Sequence, residues 1–179
     1  MKKPILLALA LFVIAPLGHA QGLGTTTVTN QVSVTVAAEA ALTIGASATT
    51  LVSSGSNFSD YTGTTPFTYF IRTGKSGGTG FIKLQVTTDF GPTGGPSVAT
   101  PLTAGDALSY TCTVSNPGTA CSGSQTSSTA SQTAVATFGA DAHSVKAGNS
   151  ASVNWDLSND PLYQTGTFTA VVTYTISAS

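Results

Sequence analysis

Charge is what this sequence has least of. Asp, Glu, Lys and Arg make up 7% of its 179 residues, against about 25% in an average globular domain. No basic patch or Lys/Arg run exists, which excludes binding to nucleic acid or to an anionic membrane surface. Histidine is nearly absent, with only His19 and His143. Cysteine is limited to Cys112 and Cys121. They lack CxxC spacing and histidine partners, which excludes a zinc or dithiol redox site. No window carries a sustained apolar stripe of 3.6-residue period, so a helical architecture is excluded as well.

What is present begins with a leader. Lys2 and Lys3 precede an almost unbroken apolar run over residues 5–16, and Gly18 and Ala20 put small residues at the −3 and −1 positions. This is the pattern of a secretory signal peptide, residues 1–20, cleaved after Ala20. It is too short, with the wrong flanks, for a membrane anchor. The mature chain, 21–179, is expected to be a single domain that is secreted or at the cell surface, periplasmic or extracellular in a bacterium, with no membrane span. It carries Arg72, Lys75, Lys83 and Lys146 against seven acidic residues, a net charge of −3. In an oxidising compartment two cysteines pair. Asn116-Pro117-Gly118 marks a turn between them, so a Cys112–Cys121 disulfide across that loop is expected.

Apolar and polar residues alternate along most of the mature chain. Val28, Val32, Val34 and Val36 share one face, with Asn30 the only polar interruption, while Thr29, Gln31, Ser33 and Thr35 share the other. This reads as a long half-buried strand over residues 25–36. The same period recurs at Leu42/Ile44, Phe67/Tyr69/Ile71, Ile82/Leu84/Val86 and Leu108/Tyr110/Cys112/Val114. It returns around Val135 or Ala136/Phe138, at Val153/Trp155/Leu157, and from Phe168 to Ile176. Gly, Pro, Asn and Ser clusters separate these runs. The expected fold is all-β, an antiparallel immunoglobulin-like β-sandwich of about eight strands. Trp155 is expected to be its central core aromatic. Residues 122–131, rich in Ser and Thr, read as a flexible loop or short linker.

No catalytic constellation emerges. His143 is the only histidine after the leader, and no Gly-x-Ser-x-Gly elbow is present. Asp156 and Asp160 do not read as an acid pair, because Asp156 faces solvent in the strand pattern and Asp160 lies in a turn before Pro161. Asp156, Asn159 and Asp160, or Asn57 and Asp60, offer oxygens to calcium. Neither group has the Asp-x-Asp-x-Asp spacing of a calcium loop, and Asn and Asp occur in turns for backbone reasons. Neither a metal nor another cofactor is expected, and the protein reads as non-enzymatic.

The C-terminal run, with Gly166, Phe168 and Tyr174, resembles the closing segment of pilin-like bacterial surface proteins, which include spore coat protein U and the chaperone–usher pilus subunits. The strand over residues 25–36 looks like the donor strand of that group. The resemblance implies that Val28, Val32, Val34 and Val36 complete a neighbouring subunit's sandwich by β-augmentation. Pilin disulfides generally tie the first strand to a neighbour, and here both cysteines lie mid-chain. Trp155-Asp156-Leu157, with Tyr174-Thr175-Ile176 further on, is similar to the paired motifs of the WxL cell-wall-binding domain.

The leading expectation is an exported structural or adhesive protein, a fibre or coat subunit that pairs strands with itself or with related envelope subunits. The alternative is a monomeric module that binds a glycan or cell-wall polymer. A secreted hydrolase ranks third, since no acid or base stands out. Without a Leu-Pro-x-Thr-Gly motif, a lipobox cysteine or an apolar tail, surface attachment is expected to be noncovalent or through a polymer.

Overall fold

The computed structural model describes residues 27–53, 55 and 57–179. The expected leader and residues 21–26 lie outside the described residues, and so do the first two positions of the expected donor strand. The chain divides into Met1–Val34 and Thr35–Ser179. Within the second unit the described residues form ten strands and no helix. They are β1 (Glu39–Ile44), β2 (Val52–Ser53), β3 (Tyr61–Arg72), β4 (Gly80–Gly91) and β5 (Ser109–Val114). The second half adds β6 (Thr119–Ala120), β7 (Gln125–Thr126), β8 (Thr133–Phe138), β9 (Asn149–Leu157) and β10 (Thr169–Ala178).

All pairings are antiparallel, in two sheets. One runs β1-β3-β9-β5-β7, with β2 also on β3, and the other runs β10-β4-β8-β6. β1 covers the Phe67–Arg72 half of β3 and β2 covers Tyr61 and Thr62. Pro66, which has no N–H to donate, sits in the stretch of β3 that neither reaches. Each long strand sends alternate residues into one shared core: Phe67, Tyr69 and Ile71; Ile82, Leu84 and Val86; Val153, Trp155 and Leu157. Their Thr, Ser and Asn neighbours face outward, as half-buried antiparallel sheets require. On β8 Val135 and Ala136 are both buried, because a register shift at Ile82/Lys83 gives β8 an extra residue there.

Two expectations needed correction. Residues 27–36 belong to no strand, and the four valines are exposed. Alternation says which face would be buried if a sheet edge were offered, and among the described residues no edge pairs with them. Residues 122–131 are not a flexible linker. They hold β7, the Ser127 hydroxyl donates to the Leu108 carbonyl (2.7 Å), and the Ser128 carbonyl accepts from Val86 N–H (3.0 Å). The short polar side chains of this stretch satisfy backbone groups instead of merely solvating it.

The disulfide forms as expected between Cys112 and Cys121. Cys112 lies on β5 in one sheet, while Cys121 follows β6 in the other. The bridge therefore staples the two layers. Its loss, in a Cys112→Ser/Cys121→Ser variant, is expected to cost about 2–3 kcal/mol on the chain-entropy estimate and to leave the fold intact. Urea unfolding of the variant beside the parent checks this. Global unfolding in buffer would show that the staple is indispensable to the core.

Asp89, near the end of β4, organises the loop that follows. Burial pulls its carboxyl up, but the Ser97 hydroxyl and the N–H groups of Val98, Ala99 and Phe90 outweigh that and hold its pKa below the usual value. The ionised form is the one these donors favour. The stability it contributes is therefore present above the unfolded-state pKa, near 3.9, and is lost as pH falls through the lower folded value. Asp89→Asn is expected to cost about 1–3 kcal/mol at pH 7 and much less at pH 2.5. Denaturant curves at both pH values check this, and an equal cost at both would refute it.

Candidate functional site

The informative region is one open edge of the two-layer fold. β1 ends its sheet and β10 ends the other. The two approach within 8 Å, yet no ladder joins them. Ala40, Leu42 and Ile44 of β1 pack on the core but stay half-buried. So does the whole inward row of β10: Ala170, Val172, Tyr174, Ile176 and Ala178. On β4, next door, Ile82, Leu84 and Val86 are fully buried. The difference is neighbours, since β4 lies between β10 and β8 and β10 has a partner on one side only.

β10 is also unprotected. An edge strand offers a row of unpaired N–H and C=O groups, which proteins usually blunt with lysine, proline or a short strand. β10 reads TAVVTYTISA, ten residues without charge or proline. It is irregular between Thr169 and Val172 and in continuous register from there to Ala178. β1 carries one charge, Glu39, held by Arg72 at 3.0 Å at the far end of the pairing with β3.

Tyr174 sits in the middle of this edge. Its ring lies 5.6 Å from Phe67. Burial pushes its hydroxyl up to about 12, against a smaller lowering pull from Thr65. Thr65 Oγ1 is already engaged, accepting from Trp155 Nε1 (2.8 Å) and bonded to Thr49 Oγ1 (2.6 Å). Among the described residues, the Tyr174 hydroxyl is the one buried side-chain polar atom that makes no hydrogen bond.

The residues expected to donate a strand lie elsewhere in the sequence and carry the complementary pattern. Val28, Val32, Val34 and Val36 are 92%, 89%, 84% and 62% exposed. Trp155 is 5% exposed, edge-on to Tyr110 at 5.4 Å. Cys112 and Cys121 are remote from this edge in topology, on β5 and beyond β6.

No protein-family model matches this chain, nor does any curated protein or solved structure.

The other candidates resolve into structural roles. Asn159 donates to the Ser59 carbonyl (3.2 Å), Asp160 accepts from the Thr103 hydroxyl and from Leu162 N–H (2.8 Å), and Tyr163 donates to Asp106 (3.3 Å). These bonds tie three loops together. Among the described residues no three Asp, Glu, His or Cys side chains converge as a metal site. His143 is exposed, 3.6 Å from Asp141. A shallow depression of about 500 Å³ on the outer face of β3, β9 and β5 is lined by Thr62, Thr64, Asn154 and Asp156. Trp155 borders it, but its ring is buried, so no aromatic face is offered there to a sugar. Nothing in the sequence marked the open edge. Alternation identifies the inward face of β10 but not how deeply that face is covered.

Proposed function

We propose that the protein is an exported, non-enzymatic structural or adhesive subunit with an immunoglobulin-like sandwich, which assembles into a surface fibre or coat by strand donation. Residues 25–36 of one copy add to the edge between β1 and β10 of a second copy. The observation that carries this reading is a complementarity. Among the described residues there is a long apolar edge whose inward row is only partly covered and an alternating valine segment without a sheet. Neither is stable exposure for an isolated protein, since unpaired apolar edges invite association. Backbone hydrogen bonds would supply affinity and alternate side chains specificity, the usual division in β-augmentation. A strand between two others needs about 9.6 Å, two ladder spacings, so β1 and β10 part slightly to admit it. The leader, the disulfide, the charge-poor Thr-rich surface and the pilin-like C-terminal run support the same reading. The alternative, a glycan-binding monomer, would use Phe70, a ring exposed on the outer face of β3 that does not line the depression on β3, β9 and β5.

The test is size-exclusion chromatography with light scattering on residues 21–179, beside a Val32→Asp/Val34→Asp variant. The parent is expected to form polymers or large oligomers and the variant to be a monomer of unchanged melting temperature. A monomeric parent whose variant loses stability would mean that the segment serves its own sheet, and the reading would fail.

A further inference from the structure

The few charges of this chain are sorted by sign along the sandwich. Asp60 precedes β3, Asp89 lies near the end of β4, Asp106 precedes β5, and Asp156 and Asp160 close β9. The ladders put the start of β3 beside the end of β9 and the start of β5. The loop after β4 reaches the same end, where Gln164 N–H donates to the Gly94 carbonyl (2.7 Å). Five of the seven acidic residues therefore gather at one end, with no Lys, Arg or His among them. Arg72 ends β3 and Lys75 lies in the turn to β4. Lys83, the fourth residue of β4, leans back with its ammonium 4.5 Å from the centre of the Phe81 ring. Lys146 lies between β8 and β9, in a loop held to the end of β3 by Ser144 N–H on the Ile71 carbonyl (2.9 Å). These four, all the cations of the expected mature chain, lie toward the opposite end, where the acidic residues are Glu39 and Asp141. We propose that subunits meet end to end, the positive end of one copy seated on the negative end of the next. The inference rests on the strand-donation reading and adds to the donated strand a second contact, between the sandwich bodies.

Thr and Ser fill the strand faces, which explains why charges fall at strand ends but not why they are sorted by sign. Arg72 pairs with Glu39 at 3.0 Å. Among the described residues, Lys75, Lys83, Lys146 and the five gathered carboxylates have no ion-pair partner. Like charges held at one end repel each other, and an opposite set on a second copy relieves that repulsion. The segment to be donated is attached at the same joint. Residues 25–36 precede β1, whose first residue, Glu39, is the ladder partner of Arg72 at the positive end. The negative end also exposes apolar side chains, Phe58, Leu102 and Leu162, on three loops. Asn159 tied to the Ser59 carbonyl and Thr103 tied to Asp160 hold those loops together. The positive end of a second copy offers exposed Val145 beside Lys146. Apolar contacts among complementary charges are the make-up of a specific interface. Such a contact joins unlike surfaces and does not close on itself, so it repeats along a fibre as strand donation does. It also steers copies head to tail and disfavours encounters between like ends.

The test compares two donors on one acceptor, the full mature chain carrying Val32→Asp/Val34→Asp. One donor is a terminally blocked peptide of residues 21–38, which has no charged side chain and no sandwich body. The other is the full mature chain with its own edge closed by Val172→Lys/Ile176→Lys in every version. Binding is followed by biolayer interferometry at about 20 and about 300 mM NaCl, where screening lengths differ severalfold. At low salt, Lys75→Glu/Lys146→Glu in the full-length donor is expected to slow association about tenfold, and Asp60→Lys/Asp156→Lys in the acceptor to do the same. The two reversals together restore the rate to within about threefold. High salt slows the pair without charge reversals about tenfold, a result that does not depend on how the charge variants fold. The peptide binds the parent and charge-reversed acceptors equally at both salt concentrations. Reversals and salt that each change the full-length donor by less than about twofold, or a doubly reversed pair no faster than the single ones, would overturn the end-to-end contact while peptide binding upholds strand donation. A peptide that binds no acceptor would overturn strand donation and this contact with it.

Discussion

Trp155→Ala is expected to remove about 4–5 kcal/mol of stability, the upper range for truncating a buried large aromatic. The indole occupies the middle of β9, between β3 and β5, with Gly63 and Tyr110 as its ladder partners. It contacts the Tyr110 ring edge-on and donates its N–H to Thr65. Alanine would empty that volume and take from Thr65 one of its hydrogen-bond donors. Domains of this size are stable by roughly 5–15 kcal/mol, so the variant should lose between about a quarter and nearly all of the parent's stability. Trp155→Phe separates the two contributions. It keeps most of the volume and loses the hydrogen bond, and should cost about 1–3 kcal/mol. Thermal and urea unfolding followed by circular dichroism check both. A cost below about 1 kcal/mol for the alanine variant would mean that the indole is peripheral.

The same residue shows what the sequence makes legible. A large ring flanked at i±2 by Val153 and Leu157, with Asn154 and Asp156 between them, has one inward face, and burial follows from period 2 alone. β3, β4, β5, β9 and β10 were readable on that basis. Harder cases failed for identifiable reasons. A bulge placed the adjacent Val135 and Ala136 inward together, which no strict alternation describes. β2, β6 and β7 are two residues each, too short to show a period. Residues 122–131 have the composition of a linker, but the hydroxyl of Ser127 and the backbone around it are tied to Leu108 and Val86 by partners far away in sequence. Residues 27–36 show the opposite mismatch, having the pattern of a strand without, among the described residues, the neighbour that makes one. The open edge was illegible for the same reason. Val172 on β10 and Val86 on β4 sit in similar local sequence, and their burial differs because one strand has two neighbours and the other has one.

That asymmetry leads to the second large effect, which concerns assembly. On the proposed strand-donation reading, a chain able to accept but not donate is made by Val32→Asp/Val34→Asp, and one able to donate but not accept by Val172→Lys/Ile176→Lys. The lysines point into the half-covered row of β10 and would bury two cations against Phe67 and the incoming valines. Unpaired charges there cost several kcal/mol each, whereas in the free protein their long stems can reach water past the open edge. Each variant alone should therefore be monomeric. Mixed in equal amounts, they should form a one-to-one dimer and stop, because the only remaining donor and the only remaining acceptor are both disabled. A head-to-tail contact that does not close grows without limit when intact, and it is this growth that the pair of substitutions caps at two. Light scattering on the mixture reads the result directly. Polymers from the mixture would point to a contact elsewhere on the surface. Two monomers that never associate, beside a parent that polymerises, would show that the valine segment and the β10 edge do not meet each other.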